Sequence, residues 1–342
     1  MKVLLRPQFW LGIAVSGGAL ALALRDLDFS EVADALATAN YFLLVPALAV
    51  FGFVQYIRAV RWGLLFYPMR GLRLRNLFGT MNVGYLVNGV LPLRVGELAR
   101  AYMVGEVEGV SKAHALSTIL VERLVDVLVV VLLLVCLLPL VDVPGWLWGS
   151  AVGLGVAVTV LAVLLAGVSV ARIRALALVR RLASLAPGRF GKALEGMAES
   201  AIQGFEVLAR PGLLGRVVAL TLVVWLLSAL MMYFGLLAFD LNLSFTVPLF
   251  LIVATALGMV VPSSPGYVGV FHAIVIESLV NVFGIDRDPA ASYALMQHLV
   301  FYLPPILIGL VYLWKEHTSW RSLTAWALRR EAAERDVAKP AL

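Results

Sequence analysis

The sequence predicts an all-helical integral membrane protein with about six full transmembrane helices and two re-entrant helical hairpins in an inverted-repeat arrangement. Three observations predict it. Of the 342 residues 62% are hydrophobic and 14% charged, whereas roughly a quarter of the residues of soluble domains are charged. Apolar runs of the ~20 residues needed to cross a ~30 Å hydrocarbon core recur six times. Two further apolar runs are too short and are broken by Gly and Pro at matching places along the chain.

The six spans are Gln8 to Leu24, Tyr41 to Phe66, Ala115 to Val141, Trp146 to Val170, Val217 to Phe239 and Ala290 to Trp314. Lys2 and Arg6 precede the first run as in a signal peptide, but no small-x-small cleavage site follows, so it reads as a retained helix. Charge assigns the sides. Arg58 to Arg75 carries Arg58, Arg61, Arg70, Arg73 and Arg75 with no acid, and Arg172 to Arg210 carries seven basic residues against Glu195, Glu199 and Glu206. Both read as cytoplasmic. Asp26, Asp28, Glu31 and Asp34 stand against one arginine between Arg25 and Asn40, which reads as outside. There Asp28 and Glu31 have capping-box spacing ahead of an amphipathic helix through Val32, Ala35, Leu36 and Ala39. Both termini are therefore expected in the cytoplasm, with the chain in the plasma membrane. Topological bias also accounts for the net charge of +6, so nucleic acid is not an expected partner. The single cysteine, Cys136, lies in an apolar run and offers no disulfide or zinc site; neither a metal nor a cofactor is expected.

The sides require the two hairpins. The chain enters Leu77 from the cytoplasm and must begin Ala115 from the cytoplasm again. The descending limb, Asn76 to Leu91, holds Gly79, Gly84 and Gly89 before Pro92 and reaches only about 24 Å as a helix. From the other side, Phe245 and the turn Asp286 to Pro289 are both outside, with Pro262 and Pro265 between them. The tips share Pro-x-x-Val-Gly, Pro92 to Gly96 and Pro265 to Gly269. The membrane domain is thus residues 1–314, with inverted repeats at about 41–141 and 217–314, a basic cytoplasmic loop at 171–211 and a cytoplasmic interfacial tail at 315–342. Broken helices in matching positions of inverted halves point to a transporter's binding site.

Ionisable residues at membrane depth are functional candidates by default. At the first tip these are Arg94, Glu97 and Arg100: guanidinium groups suit a phosphate, and the carboxylate can orient them or meet a cationic group. A shallow turn whose charges snorkel to the surface is the structural alternative. Glu122, Arg123 and Asp126 share a helix at spacings that allow an ion-pair network, equally a clamp or a substrate contact. The second tip offers Pro265, Gly266 and Gly269, whose glycine amides suit an anion, and His272, which titrates near neutral pH or simply packs. No nucleophile elbow, Walker loop, metal-ligand spacing or dinucleotide fingerprint is present.

The run Asn88 to Arg100, then Glu122-Arg123 with Asp126, then Pro262 to Gly269, resembles the membrane region of lysylphosphatidylglycerol synthases and the related stand-alone flippase-like proteins. The resemblance covers nearly the whole chain from the second span to Trp314. It implies a lipid flippase moving a phospholipid, aminoacylated or not, or a polyprenyl-phosphate-linked head group between leaflets, with membrane lipids as partners. Its motif positions are Arg94, Glu97, Arg100, Glu122, Arg123, Pro265, Gly266 and Gly269. Those synthases add a soluble aminoacyl-transferase domain, for which about 28 residues after Trp314 leave no room, so no enzyme activity is expected. Tyr267 replaces the second glycine of the family's Pro-Gly-Gly turn, and His272 stands where a glutamate is usual. Three other readings stay open: a transporter of a small soluble anion, a membrane-embedded transferase and an accessory subunit. The oligomeric state, a homo-oligomer included, is also open.

Overall fold

The structure, a computed structural model, describes residues 7–25, 27–69, 71–91, 95–183, 188–260 and 264–316. Arg94, the interfacial tail and the tip residues 92–93 and 261–263 lie outside them. The described residues form thirteen α-helices and no strand. They are α1 (Pro7–Ala23), α2 (Phe29–Thr38), α3 (Leu44–Leu65), α4 (Leu74–Val90), α5 (Gly96–Glu108), α6 (Lys112–Leu137), α7 (Gly145–Val170), α8 (Arg172–Ala183), α9 (Gly188–Gly204), α10 (Pro211–Ala238), α11 (Thr246–Gly258), α12 (Val270–Asn281) and α13 (Arg287–Lys315).

Four helical segments are long and apolar enough to cross a membrane: Tyr41–Leu65, which is α3 with its leading 3-10 turn, and α7, α10 and α13. α6 has 26 residues but carries Glu122, Arg123 and Asp126 midway along its length, and α1 has 17. The limbs α4, α5, α11 and α12 have 17, 13, 13 and 12 residues, or about 25, 20, 20 and 18 Å of helix.

Those limbs pair as two antiparallel hairpins. In the first, Asn76 donates to Glu108 at 2.6 Å and the Gly96 amide donates to Asn88 Oδ1 at 2.8 Å. Gly84 lies between these pairs, where a Cβ would stand 3.0 Å from Gly96 O. In the second, Gly258 abuts Ile274, and the Phe250 and Phe283 rings meet at 5.4 Å. The tips converge: Gly266 (φ +68°) places its would-be Cβ 3.7 Å from Gly89 O, and His298 Nε2 of α13 is 2.8 Å from Gly266 O. α13 also runs along α4 through glycine contacts, Gly309 against Asn82 O and Gly79 against the Tyr312 ring. Such close backbone approach is how membrane helices gain packing without a hydrophobic driving force between them.

The packing pairs come in matched sets. α3 packs on α10. α4 packs on α13 as α11 packs on α6, α5 on α6 as α12 on α13, and α3 on α4 as α10 on α11. Exchanging α3–α6 with α10–α13 leaves this pattern unchanged.

Two expectations need correction. Arg58 and Arg61 belong to α3, not to a cytoplasmic loop, and Arg61 is fully buried. Glu122 and Asp126 of α6 and Thr221 of α10 hold Arg61 there, and Arg58 donates to Tyr85 of α4, so charge along the chain misplaces them. The capping box at α2 is also not closed as its spacing suggests. Asp28 does cap the helix, accepting from the Ser30 amide at 2.9 Å, but its own amide donates to Asp288 Oδ1 at 3.0 Å rather than to Glu31. The contact with α13 supplies a better-placed carboxylate.

Candidate functional site

Three helices bring seven charged side chains together. α3 turns Gln55, Arg58 and Arg61 inward at i, i+3 and i+6, α5 contributes Glu97 and Arg100, and α6 contributes Glu122, Arg123 and Asp126. Arg61 donates to Glu122 Oε1 at 2.8 Å, to Asp126 and, at 2.8 Å, to Thr221 Oγ1 of α10. Arg100 donates to the other Glu122 oxygen at 2.7 Å, and its guanidinium lies 3.6 Å from the centre of the Trp62 ring. Trp62 is fixed in turn by donating Nε1–H to Thr118 Oγ1 at 3.0 Å. Glu122 therefore sits between two arginines, each oxygen taken. Buried ions in such a net are tolerable only because every carboxylate is paired; removing one partner leaves an isolated charge at a cost of about 3–5 kcal/mol.

The remaining charges are more open. Arg123 Nε donates to Glu97 at 2.8 Å, the side chains being 40% and 33% exposed, and Arg123 reaches Asp126 at 3.5 Å. Arg58 donates to the Tyr85 hydroxyl at 3.0 Å, and its Nε is buried without a hydrogen-bond partner. Among the described residues no carboxylate pairs with Arg58. Four arginines against three carboxylates leave the cluster with one excess positive charge, and Arg58 carries it.

These open charges line one wall of a cavity of about 320 Å³ between the hairpins. The polar wall is Gln55, Arg58, Tyr85, Asn88, Glu97, Arg123 and Asp126; the facing wall is apolar and aromatic, chiefly Trp225, Tyr267, Phe271, Phe301 and Tyr302. Both tips contribute, through Asn88, Gly89 and Glu97 on one side and Val260, Tyr267 and Phe271 on the other. Val260, at the second tip, is also 45% exposed.

Of the residues singled out from the sequence, Glu97, Arg123 and Asp126 line this cavity, while Arg100, stacked on Trp62, and Glu122 lie in the buried net. Arg94 lies outside the described residues. Pro265 opens the 3-10 turn of the second tip, and Gly266 takes the close approach to Gly89 O. Gly269 (φ +87°) instead receives α1, since a Cβ there would meet Ser16 O. His272 accepts from the Gly269 amide with Nδ1 at 3.3 Å, capping its own helix, and its ring lies 4.7 Å from that of His298. The sequence reading missed Arg58 and Arg61 as site residues, and with them Thr221. The signal was present: two arginines at i and i+3 inside a run long enough to span are ionisable residues at membrane depth.

Fold and site together define a polytopic helical membrane protein whose buried ion net backs a central amphipathic cavity. The chain belongs to the family described as the lysylphosphatidylglycerol synthase TM region, whose model matches residues 9–309. Among its relatives are two proteins of Methanothermobacter thermautotrophicus, each named UPF0104 membrane protein. One is 24% identical over 307 residues, covering 85% of this chain and 90% of the relative; the other is 25% identical over 296 residues, covering 83% and 86%. No solved structure matches the chain.

Proposed function

We propose that the protein moves a lipid with an anionic or zwitterionic head group between leaflets, the head group passing through the central cavity while the tail stays in lipid. The observation that carries this reading is the amphipathic cavity at the meeting of the two tips. Its volume corresponds to about ten waters at ~30 Å³ each. That suits a phosphate-bearing head group and leaves long tails outside, beside the exposed Val90, Val260 and Val268 of the tips. In this reading the phosphate engages Arg58 and Arg123, whose guanidinium forks suit its oxygens. Glu97, released from Arg123 as that guanidinium turns to the phosphate, is then free to meet a cationic group of the same head group. Arg61, Arg100 and Glu122 hold the wall rigid.

The topology that goes with this function has six full spans, α1, α3, α6, α7, α10 and α13, and two hairpins that enter from opposite faces and turn back. The limb lengths, the antiparallel registers and the matched packing pairs support it. Helix ends inside a bilayer are tolerated only against protein or water, and the tips meet that condition by abutting each other and the cavity. Both termini then lie in the cytoplasm, on the side of the basic segment 172–210, with the chain in the plasma membrane. The movement needs no group transfer and draws on a gradient or on passive exchange.

The test is leaflet exchange of head-group-labelled phospholipids and polyprenyl phosphates in proteoliposomes, comparing wild type with Arg58→Gln and Arg123→Gln. Exchange by the wild type that both variants lose supports the reading. Folded protein that exchanges none of these lipids rejects it. The cavity also accommodates a small soluble anion, and uptake of inorganic phosphate without lipid exchange would establish that second reading.

A further inference from the structure

Among the described residues that line the cavity, two buried side-chain atoms make no hydrogen bond, and both are donors: Arg58 Nε and Trp225 Nε1. A buried donor left unpaired is a cost that native structures rarely carry without a reason, and a ligand site is one such reason.

The two donors come from adjacent helices at the same depth. α3 and α10 run antiparallel, since the Asn40 amide ahead of α3 donates to Ala238 O at the end of α10, while Arg61 near the end of α3 donates to Thr221 in the first half of α10. One turn from the Arg61–Thr221 bond, Val224 packs with Val54 and Ile57. Arg58 follows Ile57 and Trp225 follows Val224.

The polar groups around them are already committed. Ser228 donates to Val224 O, Thr255 to Leu251 O and Gln55 to Asn82 Oδ1. Asp126 accepts from Arg61 and Glu97 from Arg123. What the pair lacks is an acceptor. An indole N–H and a guanidinium N–H donate and cannot accept, so the group that completes them offers oxygens rather than protons. A phosphate does this; an ammonium does not.

We infer that Trp225 is a second anchor for the phosphate, its Nε1–H bonding one oxygen while Arg58 Nε–H bonds another. The inference rests on the head-group path proposed above, and it adds to that path a neutral binding residue on α10 that the charged cluster does not include. A phosphate held by both ties α3 to α10, one helix from each of the two matched packing sets.

The experiment uses the full chain in a phosphate-free maltoside detergent, with the eight tryptophans labelled with nitrogen-15 at the indole. The Trp225 resonance is identified by its loss in Trp225→Phe or, if that variant misfolds, in Trp225→3-benzothienylalanine, which replaces only the N–H. Inorganic phosphate and dioctanoyl phosphatidylglycerol are titrated separately, with sodium chloride as the control. The expected result is a saturable downfield shift of the Trp225 indole proton with a phosphate probe and none with chloride. Calorimetric titration of the N–H-less variant should then show binding weakened about ten-fold or more. Saturation at lower concentration by the lipid assigns the seat to a head group, and by inorganic phosphate to a soluble anion; either supports the inference. A Trp225 resonance that neither probe moves overturns it, as does a shift reproduced by chloride or a folded variant that binds as tightly as the wild type. The inference and the transport reading fail separately. A Trp225 shift in a protein that exchanges no lipid keeps the seat and rejects the flippase, whereas lipid exchange with a silent Trp225 does the reverse.

Discussion

Replacing Arg58 by glutamine separates a binding residue from a structural one. Arg58 makes one hydrogen bond, to the Tyr85 hydroxyl, and pairs with no carboxylate among the described residues. Losing that bond costs about 1 kcal/mol, while a charged arginine costs up to about 2.5–3.5 kcal/mol to insert, the figure for the middle of a spanning helix. Thermal stability in detergent should therefore stay level or rise in Arg58→Gln. Binding should fall, because a charge-assisted hydrogen bond to phosphate contributes about 1.5–3 kcal/mol, or about 10- to 150-fold in affinity. The assay is the concentration dependence of labelled-lipid exchange in proteoliposomes, beside a melting curve of the same preparation. Wild-type concentration dependence would refute the assignment of Arg58 to the substrate. A loss of exchange matched by a large fall in melting temperature would show instead that Arg58 holds the fold.

Arg61→Gln should behave in the opposite way, leaving one Glu122 oxygen without a cation and Asp126 with only the 3.5 Å contact to Arg123; a loss of about 3–5 kcal/mol, read as a drop in melting temperature, is expected, with part recovered in Arg61→Gln/Asp126→Asn. Gly309→Val inserts a side chain where Asn82 O lies 2.6 Å from the Cβ position, and should separate α4 from α13 at a cost of about 1–3 kcal/mol, visible as lower thermal stability. Glu97→Gln frees Arg123 and raises the positive charge of the cavity by one; at ~8 Å and an effective dielectric of 20–40 this is about 1–2 kcal/mol. Competition by inorganic phosphate should tighten accordingly, by about 5- to 30-fold, in the exchange assay. On the surface, the carboxylates of Asp288 and Asp28 raise the pKa of Glu31. The folded chain then holds that proton more tightly than the unfolded chain, so stability falls as pH rises through the glutamate range. Glu31→Gln should flatten that part of a melting-temperature profile. Asp28, lowered by hydrogen bonds from the Ser30 hydroxyl and amide, contributes with the opposite sign, and its contribution is lost as pH falls.

The spans were legible because burial in lipid leaves a one-dimensional trace: length and hydropathy alone place α3, α7, α10 and α13 within a few residues. The short limbs were legible from Gly79, Gly84, Gly89, Pro262 and Pro265, which interrupt apolar runs too short to cross. Arg61 was not, because its partners Glu122, Asp126 and Thr221 lie 61, 65 and 160 residues away. An arginine four residues from a span's end looks the same in sequence whether it snorkels to the surface or turns inward to an acid. The same blindness applies to Gly269. Its positive φ was foreseeable from a glycine turn, but that α1 would occupy the space beside it depends on how the N-terminal helix packs.

Under the proposed function, the sign of the substrate's charge follows from how the carboxylates are occupied rather than from their number. Two of the four charged groups on the cavity wall are acids, which at first suggests neutrality or a cationic ligand. Asp126 is already bonded to Arg61, however, and Glu97 to Arg123. A cation entering the cavity would have to displace an arginine to reach either acid, leaving that guanidinium unpaired at membrane depth. An anion displaces nothing at Arg58, whose one polar partner among the described residues is a neutral hydroxyl, and it gains a second donor if Arg123 turns from Glu97. The acids thus act as holders of arginine while the cavity is empty. A ligand with both signs, phosphate toward Arg58 and ammonium toward the released Glu97, satisfies each group at once, which is why a zwitterionic head group fits this wall as well as a purely anionic one.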